Sequence, residues 1–356
     1  MFKQLYFGEL KKMFSLKTAL IFFAIFVFGF IIVGLSFRAI GNLVEIDTVG
    51  MQDLSPMQSN RINVSEEETQ SRLSVLRTEL DRAEAEKAEE GYSYYLSLLN
   101  SMDEIYYLKS QIEIYEYIAD NELYHTDLYF YDTVLYGVSS LGEQTATPFA
   151  VTMLGVFAFL LSIYALIIGS GAYATEMRNG TLKILLLHPI SRNQLTLAKL
   201  LAMLTILTGA FLVIFICTVC YSYLAYHDPG YTMLFVFNAQ SVFQAGYAFP
   251  LLLSVMSLLV NTLAYGIMAF FFGTLTRKRV LGFVLPYALD FAAPLVGMAG
   301  LSRFWITNVI AFESFFGVGM GLNTGSNFFL SLPLAIVYFG AMIALSFVVF
   351  HQRDVA

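Results

Sequence analysis

Cys217 and Cys220 are the first residues in this chain whose type and spacing suit chemistry. They form a C-x-x-C pair, a spacing that metal binding or redox exchange can use. The pair lies inside a long apolar run, and no second cysteine pair or nearby histidine completes a site. We therefore interpret both cysteines as small packing residues on one face of a helix, and we predict no metal site.

Motifs for ATP hydrolysis and for proteolysis do not point to an enzyme. The sequence has no G-x-x-x-x-G-K-[ST] loop and no H-E-x-x-H pair, so the chain does not bind ATP through a phosphate loop. Residues 67–72 fit an E-E-x-x-x-R pattern that resembles a family of intramembrane proteases. They lie in a charged segment without histidine-bearing spans, and we interpret the match as chance.

Asp290 is an acidic residue in an apolar run, flanked by Pro286 and Pro294. A carboxylate at the centre of a membrane span costs roughly 2.5–3.5 kcal/mol, so such groups usually face a cavity or a partner. The prolines fit a broken helix that lines a translocation pathway, but a shallow, bent span with the carboxylate near the interface fits equally well. Asn261 and Tyr265, one helical turn apart, are secondary candidates for the same pathway.

The composition places the chain in the membrane. It is 57% hydrophobic and only 13% charged, with a mean hydropathy of +0.66, whereas soluble domains carry about 25% charged residues. Apolar runs long enough to cross a bilayer as helices recur along the sequence. We predict an all-α polytopic membrane protein with six transmembrane helices. The predicted spans are residues 18–37, 148–172, 200–223, 243–272, 280–298 and 332–350.

Residues 1–17 and the basic loops predict how the chain is oriented. Apolar residues recur at helical spacing in this segment with lysines between them, a pattern typical of an amphipathic helix at a membrane interface. Basic residues precede the first span and form the turn at 277–279, and such residues favour the cytoplasmic side. We expect both termini to be cytoplasmic in a cell membrane, and a bacterial source.

Residues 38–147 hold most of the acidic residues and predict a large external domain between the first two spans. Ser65 and Glu68 fit a capping box that begins a helix, which should end near Glu90. A second helix should begin near Tyr92 and form an antiparallel hairpin with the first. Its tyrosines suit either ligand binding or packing, and we favour packing. Residues 301–330 are predicted to form an external or re-entrant segment.

The stretch 173–199 lies between the second and third predicted spans and is polar at both ends. It resembles the cytoplasmic loop of ABC-2 type transporter permeases, which carry an acidic residue, a Gly-Thr pair, a Pro-x-Ser-Arg motif and a lysine in this order. The matching residues here are Glu176, Gly180, Thr181, Pro189, Ser191, Arg192 and Lys199. The resemblance covers the membrane part of the chain and leaves residues 38–147 uncovered.

The resemblance implies that this chain is the permease subunit of an ATP-binding cassette exporter, without catalysis of its own. Two permease subunits, identical or homologous, would pair, and each would dock a cytoplasmic ATP-binding subunit that holds ATP and Mg. The loop would insert a short coupling helix into that subunit, and alternating access would move a peptide or drug, a lipid or an ion outward. No nucleic acid partner is implied.

The residues themselves fit such a docking element. Gly180 and Pro189 would bound the short helix, and leucines such as Leu185 would offer an apolar contact face. Glu176, Arg178 and Arg192 would form ion pairs at its rim, which steer docking more than they hold it. Two alternatives stay open: an ordinary cytoplasmic loop, and a membrane-anchored sensor or scaffold that presents the external domain. The sequence identifies neither the substrate nor the ATP-binding partner.

Overall fold

The computed structural model describes residues 2–47, 61–89, 104–126, 128–130, 146–181, 190–226, 232–238, 240–298, 304–311, 315–316 and 328–352. The described chain is mostly helical, with a small sheet. The helices are α1 (Phe2–Met13), α2 (Leu16–Asp47), α3 (Glu66–Glu89), α4 (Glu104–Asp120), α5 (Ala146–Asn179), α6 (Arg192–Ala225), α7 (Ala248–Thr276), α8 (Arg279–Met298), α9 (Ile306–Val309) and α10 (Phe328–Gln352). The strands are β1 (Arg61–Ile62), β2 (Leu128–Phe130), β3 (Met233–Phe237) and β4 (Ser241–Ala245).

Four helices in the described ranges are long and apolar enough to cross a membrane, namely α5, α6, α7 and α10. Helix α1 and residues 16–31 of α2 would provide a fifth span if this pair, bent by 54°, is counted as one. The fifth predicted span, 280–298, corresponds to α8, which is helical but is not among these candidates. Six spans therefore remain a prediction.

Helix α5 is the centre of the bundle. Of the 18 residues in its most apolar stretch, 61% are buried. The corresponding share is 6% for α10, which lies at the periphery. Its inner face carries large side chains, including Phe149, Phe157 and Tyr164, that are almost completely buried among α2, α6 and α7. A helix that is apolar all round and buried by its neighbours is expected at the core of a membrane bundle.

Small residues let α5, α7 and α8 approach closely. A Cβ placed on Gly169 would lie 2.6 Å from the carbonyl oxygen of Gly266, and one on Gly273 would lie 3.1 Å from the carbonyl oxygen of Ser170. On α8, a Cβ on Gly282 would lie 2.9 Å from the Cα of Gly273. Contacts between small residues are a common way for membrane helices to pack, because lipid offers no hydrophobic drive for association.

A four-stranded sheet lies at the other end of the bundle from α1, and its order is β1-β2-β3-β4. Strands β3 and β4 form an antiparallel hairpin between α6 and α7, while β2 pairs parallel with β3. The all-helical prediction is wrong here, since it included no strand and began the fourth span at Phe243, inside β4. Both strands are rich in valine and phenylalanine, which favour strands. In an apolar chain, however, such a short run is easily assigned to a transmembrane helix.

The insert domain, defined here as β1, α3, α4 and β2, packs on this hairpin. Leu76 of α3 and Ile118 of α4 are buried in one core with Leu234 of β3. Ion pairs join Arg77 to Glu116 at 2.6 Å and Glu84 to Lys109 at 2.9 Å. The two helices therefore run antiparallel. Because α4 is described only from Glu104 and the predicted start near Tyr92 lies outside the described residues, the predicted external hairpin domain stays a prediction.

The predicted capping box is present at the start of α3. The Glu68 amide donates to Ser65 Oγ at 3.3 Å, and the Ser65 amide donates to the Glu68 carboxylate at 3.0 Å. The latter hydrogen bond holds the pKa of Glu68 below its usual range. Tyr115 of α4 is 6% exposed, which fits the packing interpretation of this tyrosine.

Substituting Gly169 with alanine should destabilise the bundle, because the new methyl group would meet the backbone of α7. We expect a loss of about 1–3 kcal/mol, the usual cost of overpacking, seen as a lower midpoint of thermal unfolding in detergent micelles. Gly155 on the same helix is the matched control, since a Cβ there has nothing within 4 Å. Equal stability of Gly169→Ala and Gly155→Ala would contradict the close approach.

Substituting Ser65 with alanine should loosen the first turn of α3. Losing an N-cap costs about 1 kcal/mol, so hydrogen exchange of the peptide that covers residues 65–70 should become about fivefold faster. Ser74→Ala is the control, because Ser74 lies within the same helix and its hydroxyl donates to the carbonyl of Ser71, away from the helix start. Unchanged exchange in Ser65→Ala would show that the capping box does not hold this end.

Candidate functional site

Four charged side chains meet where α1 crosses the bundle. We call Glu9, Lys12, Glu176 and Lys199 the charge cluster. Glu9 and Lys12 come from α1, Glu176 from the last turns of α5, and Lys199 from the second turn of α6. The cluster therefore joins α1 to the two helices that enter and leave the loop between residues 179 and 192.

Lys199 is the centre of the charge cluster. Its Nζ atom lies 2.7 Å from Glu9 Oε2 and 2.7 Å from Glu176 Oε1, and its side chain is completely buried. Lys12 forms a further ion pair with Glu176 and is about half exposed. Glu9 and Glu176 are 3% and 2% exposed, so the two carboxylates and Lys199 are shielded from water, and Lys12 supplies the second balancing charge from the surface.

One oxygen of the charge cluster lacks a partner. Within the described ranges, Glu176 Oε2 is buried and accepts no hydrogen bond. A buried polar atom without a partner is uncommon in folded proteins and carries a desolvation cost. Lys199 and Lys12 both contact the other oxygen, Oε1, so the Glu176 carboxylate is held through that atom.

A layer of rings and hydroxyls surrounds the charge cluster. Lys199 Nζ lies 5.4 Å from the centroid of the Tyr173 ring, and the Tyr173 hydroxyl donates to Thr196 Oγ1 at 2.7 Å. The Tyr173 ring also packs against Phe270 of α7 and Phe350 of α10, at centroid distances of 5.5 and 4.7 Å. The end of α5 is thus fixed against three other helices.

The sequence analysis predicts no role for Glu9, and it does not predict that Lys199 is buried in ion pairs. Leu5, Glu9 and Met13 follow one another at four-residue spacing, so Glu9 occupies the apolar stripe of α1, where Leu5 and Met13 pack against the core. An acid in the buried stripe of an amphipathic helix predicts a buried cation opposite. Lys199 was noticed only as part of a motif, and the two residues are too far apart in sequence to be paired without the fold.

The structure places Glu176 differently from the prediction. Its carboxylate lies inside the protein in the charge cluster, and not on an exposed rim where a partner could reach it. The reason is that α5 continues to Asn179, well past the predicted end of the second span at residue 172. The wall of α1 and α6 then encloses the last turns of α5.

The residues after Glu176 mark the end of α5. Gly180 has a φ of +70°, a conformation that glycine adopts readily at a helix end, and Thr181 is exposed. The side chain of Arg178 lies outside the described residues, as do Leu185 and Pro189. Their predicted roles in docking stay predictions.

Ser191 and Arg192 form the beginning of α6. Ser191 caps the helix, accepting a hydrogen bond from the Gln194 amide at 3.2 Å, and the Gln194 side chain completes a capping box. The Arg192 guanidinium donates to the backbone carbonyl of His351 at 3.0 Å. The second half of the loop motif therefore begins a helix and contacts the end of α10.

The second group of predicted residues meets where α7, α8 and α9 converge. The Tyr265 hydroxyl of α7 donates to Asp290 Oδ2 of α8, and the Thr307 side chain of α9 also hydrogen-bonds this carboxylate. The Trp305 indole donates to the carbonyl of Leu289 at 2.8 Å. Asp290 is therefore half-buried and partnered by protein hydroxyls, which fits the expectation that such a carboxylate has a partner.

Asn261 is half-buried one turn before Tyr265 on α7. The ring of Tyr265 also neighbours that of Tyr287, whose hydroxyl lies 3.2 Å from Ser162 Oγ of α5. Tyr287 and Ser162 were not predicted. Among the described residues, no group of three or more His, Cys, Asp or Glu is placed to hold a metal ion.

Removing the central cation of the charge cluster should destabilise the protein strongly. Lys199→Met leaves Glu9 and Glu176 buried without their shared partner, which typically costs about 3–5 kcal/mol. The midpoint of thermal unfolding in detergent should fall clearly. Lys3→Met is the matched control, because Lys3 is exposed on the same end of the protein and should change little.

A triple variant separates charge balance from packing. Replacing Glu9 and Glu176 with glutamine in the Lys199→Met background removes the uncompensated acids and should recover a large part of the lost stability. If the triple variant were less stable than Lys199→Met alone, the electrostatic explanation of the charge cluster would fail.

Comparisons with known proteins relate the sequence of this chain to one family. The sequence model of a family described as ABC-2 family transporter protein matches residues 5–355. The uncharacterized protein YhcI of Bacillus subtilis (strain 168) is 24% identical over 210 residues, which cover 56% of this chain and 66% of the relative. The chain thus spans just under two thirds of the length of that relative. Because the match to the family extends over nearly the whole chain, this multi-pass membrane protein belongs to the ABC-2 family of transporter proteins.

Proposed function

We propose that this chain is the permease subunit of an ATP-binding cassette exporter, paired with a second permease subunit and with separate ATP-binding subunits. ATP and Mg belong to the ATP-binding subunits, and the substrate, a peptide or drug, a lipid or an ion, leaves the cell through the permease pair by alternating access. Membership in the ABC-2 family supports a role in membrane transport. The finer statements rest on the arguments that follow.

The observation that carries the proposal is the position of the charge cluster on both sides of one loop. Glu176 precedes the loop and Lys199 follows it, and the two side chains are bonded at 2.7 Å. A force applied to the loop between them would act on α5 and α6 together. The Glu176 carboxylate also contacts Lys12, and the Lys199 ammonium also contacts Glu9. Helix α1 would therefore move together with α5 and α6.

The capping of α6 supports a mechanical role for the loop. The capping box at Ser191 makes the start of α6 a fixed structure, so displacement of the loop would tilt the helix and not merely unwind it. Arg192 contacts the backbone of His351, which links the same point to α10. In this proposal Gly180 supplies the joint, because glycine adopts the left-handed backbone found there, and other backbone conformations, without steric cost.

Asp290, Tyr265 and Asn261 are proposed to line the translocation pathway. A hydrogen-bonded carboxylate between α7, α8 and α9 can exchange its protein hydroxyl partners for a substrate or for water when these helices separate. Such an exchange requires the polar group to face a space that opens, and an intramembrane carboxylate is a functional candidate by default for this reason.

The alternative is a membrane-anchored sensor or scaffold that presents the insert domain. The shared sheet argues against a domain that is only tethered. Tyr129 of β2 pairs with Met233 of β3, and β3 leads through β4 into α7. Movement of α6 or α7 would therefore be transmitted directly to the insert domain. Such coupling is expected of a domain that takes part in transport.

The docking role of the loop can be tested at Leu185. Leu185→Asp places a charge on the predicted apolar contact face, so co-purification of the cognate ATP-binding subunit with the tagged chain should fall about tenfold or more, as expected for a lost interface anchor. ATP hydrolysis by the complex, and its response to transported substrate, should fall in parallel. Leu185→Met conserves volume and polarity and should behave as the wild type.

The permease alone supplies the control for folding. Because Leu185 is predicted to face the ATP-binding subunit and not the helical bundle, Leu185→Asp should leave gel-filtration behaviour and thermal unfolding of the isolated chain unchanged. Normal retention of the ATP-binding subunit by a stable Leu185→Asp chain would refute docking through this face. A wild-type chain that retains no ATP-binding subunit would favour the sensor or scaffold.

A further inference from the structure

A cavity of about 660 Å³ lies beneath α1, between this helix and the bundle. Phe7 and Phe14 of α1 form one wall, and Ile206 and Val213 of α6 form the other. The volume falls within the range of about 300–1,000 Å³ that is usual for small-molecule sites. The charge cluster does not line it, so the cavity is a separate feature.

The wall of the cavity is mostly apolar, with polar groups on both α1 and α6. Lys11 is the charged residue of the lining, and Thr205 lies opposite with its hydroxyl 2.8 Å from that of Tyr6. Phe7 and Phe14 are 52% and 58% exposed, which means that the cavity opens between large apolar side chains. An occupant must therefore combine a long apolar body with a group that suits an ammonium.

The charge of α1 specifies the sign of that group. Glu9 is the single acid in the sequence of α1, and it is buried against Lys199. Lys12 is paired with Glu176, whereas Lys11 forms no ion pair with any residue that the structure describes. The exposed charge of this helix is thus cationic, and Lys11 offers its ammonium at the mouth of the cavity to an anion from outside the chain.

The bend between α1 and α2 lies beside the cavity, and an interfacial α1 is expected to set the cavity at the depth where lipids change from headgroup to acyl chain. The two helices meet at 54°, and α2 begins with exposed apolar residues, including Leu16 and Leu20. In a membrane protein these side chains face acyl chains, while lysines at the edge reach the headgroup layer. The cavity therefore opens toward the bilayer at the depth of its interface.

We propose that the cavity beneath α1 binds one phospholipid with an anionic headgroup, its acyl chain between α1 and α6 and its phosphate against Lys11. The occupant is a resident lipid of the bilayer, and its binding requires only the membrane location of the chain, not the export function. Because α1 also carries Glu9 and Lys12, the bound lipid holds in place the helix that completes the charge cluster.

Gly209 gives a way to fill the cavity without disturbing the backbone. It lines the cavity on α6, and a Cβ built there has nothing within 4 Å. Gly209→Leu should therefore place its side chain in the space of the acyl chain. Gly155→Leu is the matched control, since Gly155 is exposed on α5 with equally open surroundings and does not line the cavity.

The test is lipid binding by the full chain purified in detergent. Dioleoyl phosphatidylglycerol and dioleoyl phosphatidylcholine are titrated separately, with native mass spectrometry and the midpoint of thermal unfolding as readouts. The wild type should retain one phosphatidylglycerol and be stabilised by it in preference to phosphatidylcholine. Gly209→Leu should lose the retained lipid and the stabilisation, while Gly155→Leu should keep both.

The headgroup contact is tested at Lys11. Lys11→Gln should lower the preference for phosphatidylglycerol about fivefold, as expected for one near-surface cation, and should leave binding of phosphatidylcholine unchanged. Lys3→Gln, a change on the same helix away from the cavity, should keep the preference. Equal retention of both lipids by the wild type, or wild-type retention by Gly209→Leu, would overturn the proposal.

Discussion

The buried ammonium of Lys199 is the constraint on which this end of the molecule depends. A lysine that is completely buried must be paired, because an isolated charge away from water costs far more than folding can supply. Here the two carboxylates come from different helices, Glu9 on α1 and Glu176 on α5, so the cation can be satisfied only when three helices meet. Such a pair specifies an arrangement more than it stabilises one, since a well-packed apolar core would be at least as stable.

Different kinds of interaction hold the helices together at the two ends of the bundle. At the α1 end, charges and hydroxyls fix where the helices lie, with Tyr173 and Thr196 completing the contact. Beside them, where α7 ends, Gly273 allows its backbone to touch that of Ser170 on α5, and Gly169 does the same with Gly266. At the sheet end, strand hydrogen bonds join the insert domain to the α6–α7 connection.

Much of the helical framework could be predicted from the sequence, because long apolar runs, the capping box at Ser65 and the loop motif around Gly180 are local signals. The sheet could not, since β2 is three residues long and gains its pairing from β3, a hundred positions away in an apolar chain. The charge cluster was missed for the same reason. Glu176 looked exposed because its neighbours are polar, and only the position of α1 across α5 shows that it is buried.

The parallel pairing of β2 with β3 also implies an order in which parts of the chain can fold during synthesis. The chain is made from its N-terminus, and domains generally fold as they emerge, but the insert domain cannot complete its sheet until residues 233–237 have been synthesised. By then α5 and α6 must already have passed into the membrane. The insert domain must therefore wait, with Leu234 and Val236 missing from its core, for two later helices to be placed correctly. Without this sheet, the apolar side chains of the insert domain that pack on Leu234 and Val236 would lack that part of their core.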